Sequence, residues 1–259
     1  MDDKSKIELA LKVATLYYRD GWNQSDIATE LNISRATVSR LLQFGRDRGL
    51  VTIKIHNPVA PLHQLEVDLL AKYPSLHKII IVPGTDDPLE EVGAAGAKYI
   101  EQVVEDKDII GLGWGKTVYQ VGLHLKPKDV TDITVVQMKG SMANTNTRNY
   151  AFETVNIFAN AFNTVPQYLP LPVIFDHAKT RELVANDTHI KHIMKLGEQS
   201  SIAVFTVGTV RDSALLFKLG YFTKQEQLTL QHEAVGDVFS RFIDSKGQIV
   251  NEDINQRTI

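Results

Sequence analysis

Gln24-Ser-Asp-Ile-Ala-Thr-Glu-Leu-Asn-Ile-Ser-Arg-Ala-Thr-Val-Ser-Arg-Leu-Leu42 decides the reading of the N-terminal part of this 259-residue chain. Its periodicity predicts two short helices, 24–31 and 34–46, joined by a tight turn. Apolar residues that would face a steep crossing are Ile27, Leu31, Ile33, Val38 and Leu41, with small Ala28 where the helices touch. Asn32 falls where the turn needs positive φ, a region Asn visits readily. Ser34 is placed to cap the second helix. An ordinary helical hairpin would not need all of these in one register, so the stretch reads as a helix-turn-helix. The outward positions of its second helix are Arg35, Ala36, Thr37, Ser39, Arg40 and Gln43. Such short polar or cationic side chains suit base edges and phosphates. With Gln24, Ser25 and Ser34 at the helix starts, they are the candidate DNA-binding residues, and double-stranded DNA is the expected partner.

Working outward, residues 7–19 carry a helical apolar stripe ended by Gly21, and Gly49 closes the helix of residues 34–46. Val51–Ile55 alternates as a short strand or wing would. Pro58 and Pro61 then interrupt any regular element. The expected organisation is a DNA-binding domain over 1–57, a linker over 58–61 and a larger domain over 62–259. Net charge is −3, yet residues 1–57 net +2 and the remainder −5. Between 33 and 57 the basic residues Arg35, Arg40, Arg46, Arg48 and Lys54 face one acid, Asp47. A local basic stretch on an acidic chain directs phosphate contacts there. The absence of cysteine excludes disulfides, thiolate chemistry and zinc fingers, and fits a cytoplasmic setting. No apolar run approaches the ~20 residues of a bilayer span and the N-terminus lacks a signal-peptide core, so no membrane partner is expected.

The larger domain alternates strands and helices. Helices are expected at 62–72, 89–104, from about Thr117, at 150–162 and at 189–197. Strands are expected at 78–82, 108–112, 133–137 and 201–207. Apolar strands separated by helices predict an α/β domain whose parallel sheet is covered on both faces.

Four places in this domain invite chemistry. Gly113, Trp114, Gly115, Lys116 and Thr117 lie between a strand and a helix, where backbone N–H groups and a helix N-terminus attract an anion. The spacing matches neither the Walker A pattern nor the dinucleotide fingerprint. Taken alone it reads better as a purely structural turn. Lys139 follows an apolar strand and precedes Gly140 and Ser141, at the strand end where open α/β sheets bind ligands. Desolvation there would free the amine for a Schiff base; a loop lysine in solvent is the plain alternative. Arg211 could clamp a phosphate or simply pair with Asp212. Asp237 could accept from sugar hydroxyls or cap a turn. His189 and His192 share a helix face, but no third ligand accompanies them, so no metal and no cofactor is expected.

The helix-turn-helix, Ile109-Ile-Gly-Leu-Gly-Trp-Gly-Lys-Thr117, Val135-Val-Gln-Met-Lys-Gly140, Gln167-Tyr-Leu-Pro-Leu-Pro172 and Phe205-Thr-Val-Gly-Thr-Val-Arg-Asp212 together resemble the SorC family of sugar-responsive transcriptional regulators. The resemblance runs along the whole chain and is strongest to the deoxyribonucleoside-regulator subgroup. It implies a winged helix-turn-helix joined to a Rossmann-like, sugar-phosphate-isomerase-like effector domain with a mostly parallel sheet. It also implies a homodimer or homotetramer whose operator affinity is altered by a phosphorylated sugar such as deoxyribose 5-phosphate. The effector-binding candidates are then Gly113–Thr117, Lys139, Gly140, Ser141, Arg211 and Asp237, with Lys139 the Schiff-base candidate. Family members continue past the position of Ile259 with a further strand and a Gly-rich segment near the pocket, so the C-terminus is expected to be truncated there. The expected function is a regulator, most simply a repressor, of a sugar or deoxyribonucleoside catabolic operon, and not an enzyme.

Two other classes remain in view. A sugar-phosphate isomerase or lyase fused to a DNA-binding domain would need a general base and acid. Lys139 and Asp237 offer themselves, but no proton relay is evident, and turnover of deoxyribose 5-phosphate separates the two readings. A protein-interaction module would fail to bind any operator at any salt concentration.

Overall fold

The computed structural model describes residues 3–53, 60–84, 86–142 and 146–259. Its internal contacts divide the chain into two compact units, Met1–Ala60 and Pro61–Ile259.

The first unit holds α1 (Asp3–Ala14), continued by a π-helical turn over Thr15–Arg19, then α2 (Gln24–Glu30) and α3 (Arg35–Asp47). Each boundary has a local cause. Gly21 (φ 75°) and Gly49 (φ 68°) take left-handed conformations after α1 and α3, and Asn32 (φ 53°) does so in the turn. Ser34 caps α3 by accepting from the Thr37 N–H at 3.1 Å. Asn23 caps α2 by accepting from Ser25 and Asp26. The three helices bury Ala10, Val13, Ile27, Ala28, Val38, Leu41 and Leu42 together. The wing expected at Val51–Ile55 does not form over Val51–Ile53, which is not strand. The Leu50 and Val51 N–H groups instead fold back onto the Gly45 carbonyl, at 2.8 and 3.2 Å. Lys54 and Ile55 lie outside the described residues, as do residues 58 and 59 of the linker expected at 58–61, and residues 60 and 61 already belong to a helix.

In the second unit come α4 (Ala60–Lys72), α5 (Pro88–Val103), β1 (Ile109–Leu112), α6 (Lys116–His124), β2 (Thr134–Gln137), α7 (Ala151–Ala161) and β3 (Pro166–Gln167). Then follow α8 (Ala178–Ala185), α9 (Thr188–Glu198), β4 (Ile202–Val204), β5 (Val207–Gly208), α10 (Leu215–Lys218) and α11 (Lys224–Glu233). The chain closes with β6 (Gly236–Val238), β7 (Arg241–Ile243) and α12 (Glu252–Arg257). Strands β3-β2-β1-β4 form one parallel sheet in that order. Ile110, Leu112 and Val135 pack with residues of α5, α6 and α7, among them Ala97, Val121 and Phe158. Val136 packs with Ile193 of α9, so helices cover both faces and the strands read as apolar runs. The domain is α/β with a parallel sheet. No helix among the described residues is long and apolar enough to cross a membrane.

Two strand expectations need correction. Lys78–Val82 is not a strand, and Ile80 is 45% exposed. The Ile81 N–H donates to the Glu66 carboxylate at 2.7 Å, where a strand would donate to its neighbour. The run expected at 201–207 splits: Ile202–Val204 joins the parallel sheet, whereas Val207–Gly208 starts an antiparallel sheet, β5-β6-β7, that sequence reading did not foresee. This second sheet packs with α10, α11 and α12 around Leu216, Leu219, Leu230, Phe242 and Ile254, and Trp114 belongs to the same core.

Candidate functional site

The order 3-2-1-4 reverses between β1 and β4. Open α/β sheets bind ligands outside the carboxyl ends of strands at such a switch point. A cleft of about 460 Å³ opens there. Trp114–Thr117 enter it from the end of β1, Lys139 from the end of β2 and Thr206–Thr209 from the end of β4. Asp237 of the second sheet closes one side, and Thr147, Arg148 and Lys218 contribute from flanking segments.

The end of β1 is built for an anion. Gly115 is the N-cap of α6 at φ 142°, a conformation glycine takes without strain, and no side chain caps the helix. The first N–H groups of α6 and its positive dipole end therefore lie beside the cleft, flanked by Lys116 and Thr117.

At the other end sit two buried groups of opposite charge, Lys139 and Asp237, which couple electrostatically without an ion-pair contact. Lys139 is 9% exposed and Asp237 is 7% exposed. The Lys139 Nζ lies 3.9 Å from the centroid of the Trp114 ring and 3.5 Å from Ser240 Oγ. The indole is held in place because its Nε1–H donates to the Gly140 carbonyl at 2.7 Å. Burial pushes the Lys139 ammonium down to about 8, against the opposing pull of the Asp237 carboxylate. Burial likewise raises Asp237, opposed by the Lys139 charge and by the Ser240 N–H, which donates to Asp237 Oδ2 at 2.9 Å. With a value near 8, roughly one tenth of Lys139 is a neutral amine at pH 7, hundreds of times more than for a solvated lysine. Gly208 pairs with Asp237 across the second sheet, and any β-carbon on Gly208 would collide with the Asp237 carboxylate. Glycine is thus a steric condition of the carboxylate's position.

Of the residues singled out in the sequence, Trp114, Gly115, Lys116, Thr117, Lys139 and Asp237 meet in this one cleft. Gly113, Gly140, Ser141 and Arg211 are not among its lining residues. Gly113 donates its N–H to the Val204 carbonyl, and the Gly140 carbonyl anchors Trp114. Ser141 donates its N–H to the Leu171 carbonyl. Arg211 is exposed in a turn, where its N–H donates to Thr209 Oγ1. Arg148 lies in the cleft where Arg211 was looked for. Its guanidinium is over the Tyr150 ring at 4.7 Å and pairs with Glu153 at 2.8 Å. Arg148, Lys218 and Ser240 escaped sequence reading because no motif marks them.

In the N-terminal unit, Ser25, Ser34, Arg35, Ala36, Ser39, Arg40 and Gln43 are exposed, and Gln24 and Thr37 are half-buried. Arg35 lines a shallow surface hollow with Asn23, Gln24 and Ser25. The Arg40 Nε–H donates back to the Ala36 carbonyl. Gln43 is engaged within its own helix: its carbonyl accepts from Arg46 at 2.6 Å and its amide donates to Asp47 at 2.7 Å. Arg46 also donates to the Tyr18 hydroxyl at 2.7 Å, tying α3 to the π turn.

An exposed cationic recognition helix and a polar cleft at the switch point of an α/β sheet define a DNA-binding regulator with a ligand-binding domain. Residues 57–259 match the family described as "Putative sugar-binding domain", and residues 4–43 match a Homeodomain-like domain. The chain is 45% identical to the Deoxyribonucleoside regulator of Bacillus subtilis, across 99% of this chain and 83% of that protein. It is 30% identical to the Sorbitol operon regulator of Klebsiella pneumoniae, across 100% of this chain and 84% of that one. The crystal structure of full-length SorC from Klebsiella pneumoniae superposes with a TM-score of 0.69 at 28% identity, covering 98% of this chain and 83% of that one. The chain belongs to the SorC family of sugar-binding transcriptional regulators.

Proposed function

We propose that this protein is a cytoplasmic repressor of a deoxyribonucleoside or sugar catabolic operon, released from its operator by deoxyribose 5-phosphate. The observation that carries the reading is the buried Lys139 amine opening into a cleft whose far end is cationic. A phosphate takes the N-terminus of α6, with Thr117 and Lys116 beside it and Arg148 across the cleft. That places the sugar chain toward Lys139 and Asp237. The open-chain aldehyde condenses with Lys139 to an imine, with loss of water. Hydrogen bonds to so polar a ligand contribute only ~0.5–1.5 kcal/mol net each, somewhat more when charged. A reversible covalent bond adds selectivity for a free aldehyde. Similarity to the Bacillus subtilis regulator supports the choice of effector class.

Operator contacts fall to Arg35 and Arg40, with Gln24, Ser25, Ser34, Thr37 and Ser39 around them. One helix-turn-helix reads one half-site, so the protein works as a homodimer or homotetramer on a repeated site. Borohydride reduction in the presence of deoxyribose 5-phosphate, followed by peptide mass spectrometry, tests the reading. An adduct on Lys139 that is absent from Lys139→Ala supports it; tight ligand binding without any adduct overturns the covalent step.

The Lys139–Asp237 pair also supports a second reading, because an imine-forming lyase would use the same two groups. Turnover of deoxyribose 5-phosphate by the purified protein would establish that reading in place of pure regulation.

A further inference from the structure

The β6–β7 hairpin turns on Phe239 and Ser240, with φ of 48° and 65°. A two-residue turn between paired Val238 and Arg241 requires positive φ at both positions, which is why Asn-Gly or Gly-Gly usually fill it. Phe and Ser carry β-carbons that oppose this conformation, and such strain persists where the surroundings over-determine it, often at functional sites. Here the surroundings are visible. The Phe239 ring packs on Phe205 with centroids 4.9 Å apart. Ser240 is fully buried, its N–H on Asp237 Oδ2 and its hydroxyl toward Lys139 Nζ. It therefore touches both Lys139 and Asp237, and it is the residue that links these two buried groups.

We infer that Ser240 is a positioning residue for imine formation, holding the Lys139 amine and the Asp237 carboxylate in the relative placement that lets one proton pass between them. The inference rests on the imine reading above. The Lys139 ammonium first gives a proton to the Asp237 carboxylate. The freed amine attacks C1 of the aldehyde, a C–N bond forms, and a nitrogen proton moves to the former carbonyl oxygen. Asp237 returns its proton to that hydroxyl, the C–O bond breaks, and water leaves. The product is an iminium on Lys139 and a carboxylate on Asp237, so protons and charge balance. Placing the two groups matters because transfer needs hydrogen-bond reach in the reacting geometry.

The test is borohydride trapping of the full chain with deoxyribose 5-phosphate, read as initial adduct rate from pH 6 to 10, for wild type, Ser240→Gly and Ser240→Ala. Glycine takes φ of 65° without strain, so Ser240→Gly should melt no lower than wild type. It should nevertheless trap roughly tenfold or more slowly at pH 7, in line with the value of orientation. Its pH profile should also move to higher pH, as water entering the vacated space returns the amine toward the range of a solvated lysine. Ser240→Ala, which keeps a β-carbon, should share the slow trapping. Both variants trapping at the wild-type rate with the wild-type profile would overturn the role of Ser240 while leaving the imine intact. No adduct in any protein, wild type included, would overturn the imine reading and this inference with it.

Discussion

Replacing Lys139 with Met should make the protein more stable while abolishing its covalent response. The two side chains are similar in length, and Met would keep the packing on the Trp114 indole. The fall of Lys139 from 10.5 to about 8 corresponds to roughly 3 kcal/mol, borne by the folded state whenever the lysine is charged. That figure is already net of the attraction to Asp237, so Met removes it whole; what offsets part of the gain is the lost bond to Ser240 and the imperfect fit of the new side chain. A net stabilisation of about 1–2 kcal/mol at pH 7 remains, or roughly 2–8 °C in a domain of this size. The pH dependence has a definite sign. Below pH 8 the folded and unfolded chains both carry the ammonium, so the penalty is complete. Between 8 and 10.5 the folded protein sheds its proton while the unfolded chain keeps it, so wild-type stability rises toward that of Lys139→Met. Differential scanning calorimetry of both proteins at pH 7 and pH 10 reads this directly. A variant that is less stable than wild type at pH 7, or whose advantage grows with pH, would refute the argument.

Three further outcomes follow from the same geometry. Gly208→Ala drives a β-carbon into the Asp237 carboxylate and should cost about 1–3 kcal/mol in urea unfolding, together with weaker phosphosugar binding; a neutral substitution would mean the carboxylate is not held as described. The rate of adduct trapping should be nearly level below about 8 and fall above it, because the route needs the one proton that Lys139 gives to Asp237 and that later leaves with water; a rate still climbing steeply between pH 9 and 10 would show a solvated lysine. Arg35→Ala and Arg40→Ala should each weaken operator binding. One that reads a base should lose ~1–3 kcal/mol and relax specificity, and one that holds a phosphate should lower the salt slope by about one; unchanged binding in the double variant would remove both from the interface.

The helix-turn-helix was legible because every feature it needs is local. Asn32 and Gly49 act through their own backbone, Ser34 through a hydroxyl that reaches only three residues along, and the apolar spacing of Ile27, Val38 and Leu41 is a helical period. Strands β1 and β2 were legible for a related reason: burial on both faces makes each one an apolar run. The same rule misled at Lys78–Val82, where an apolar run has no neighbouring strand to pair with. It was silent on the second sheet, whose strands are two or three residues long and include Gly208, Gly236 and Asp237. Helix α11, Lys224–Glu233, is almost wholly polar, and its only clear sequence mark is the capping box of Thr223 and Glu226. In the cleft, Lys139 and Trp114 could be found because each follows a strand of the parallel sheet. Arg148, which lines it, and Ser240, buried behind Lys139, could not, because what places them is tertiary: a flanking segment between β2 and α7 for one, and a strained hairpin for the other. Arg211 was sought at the end of a strand that the structure divides in two.

The most direct test of the account couples its two halves in one tube. A fluorescent duplex, selected by the protein from a random pool, is bound at fixed salt, and deoxyribose 5-phosphate is titrated while anisotropy is followed. The account predicts that the ligand releases wild-type protein from the duplex, that ribose 5-phosphate does so far less well, and that Lys139→Met binds the duplex normally but does not respond. A Lys139→Met protein released by deoxyribose 5-phosphate at wild-type concentrations, or a wild-type protein indifferent to it, would contradict the account.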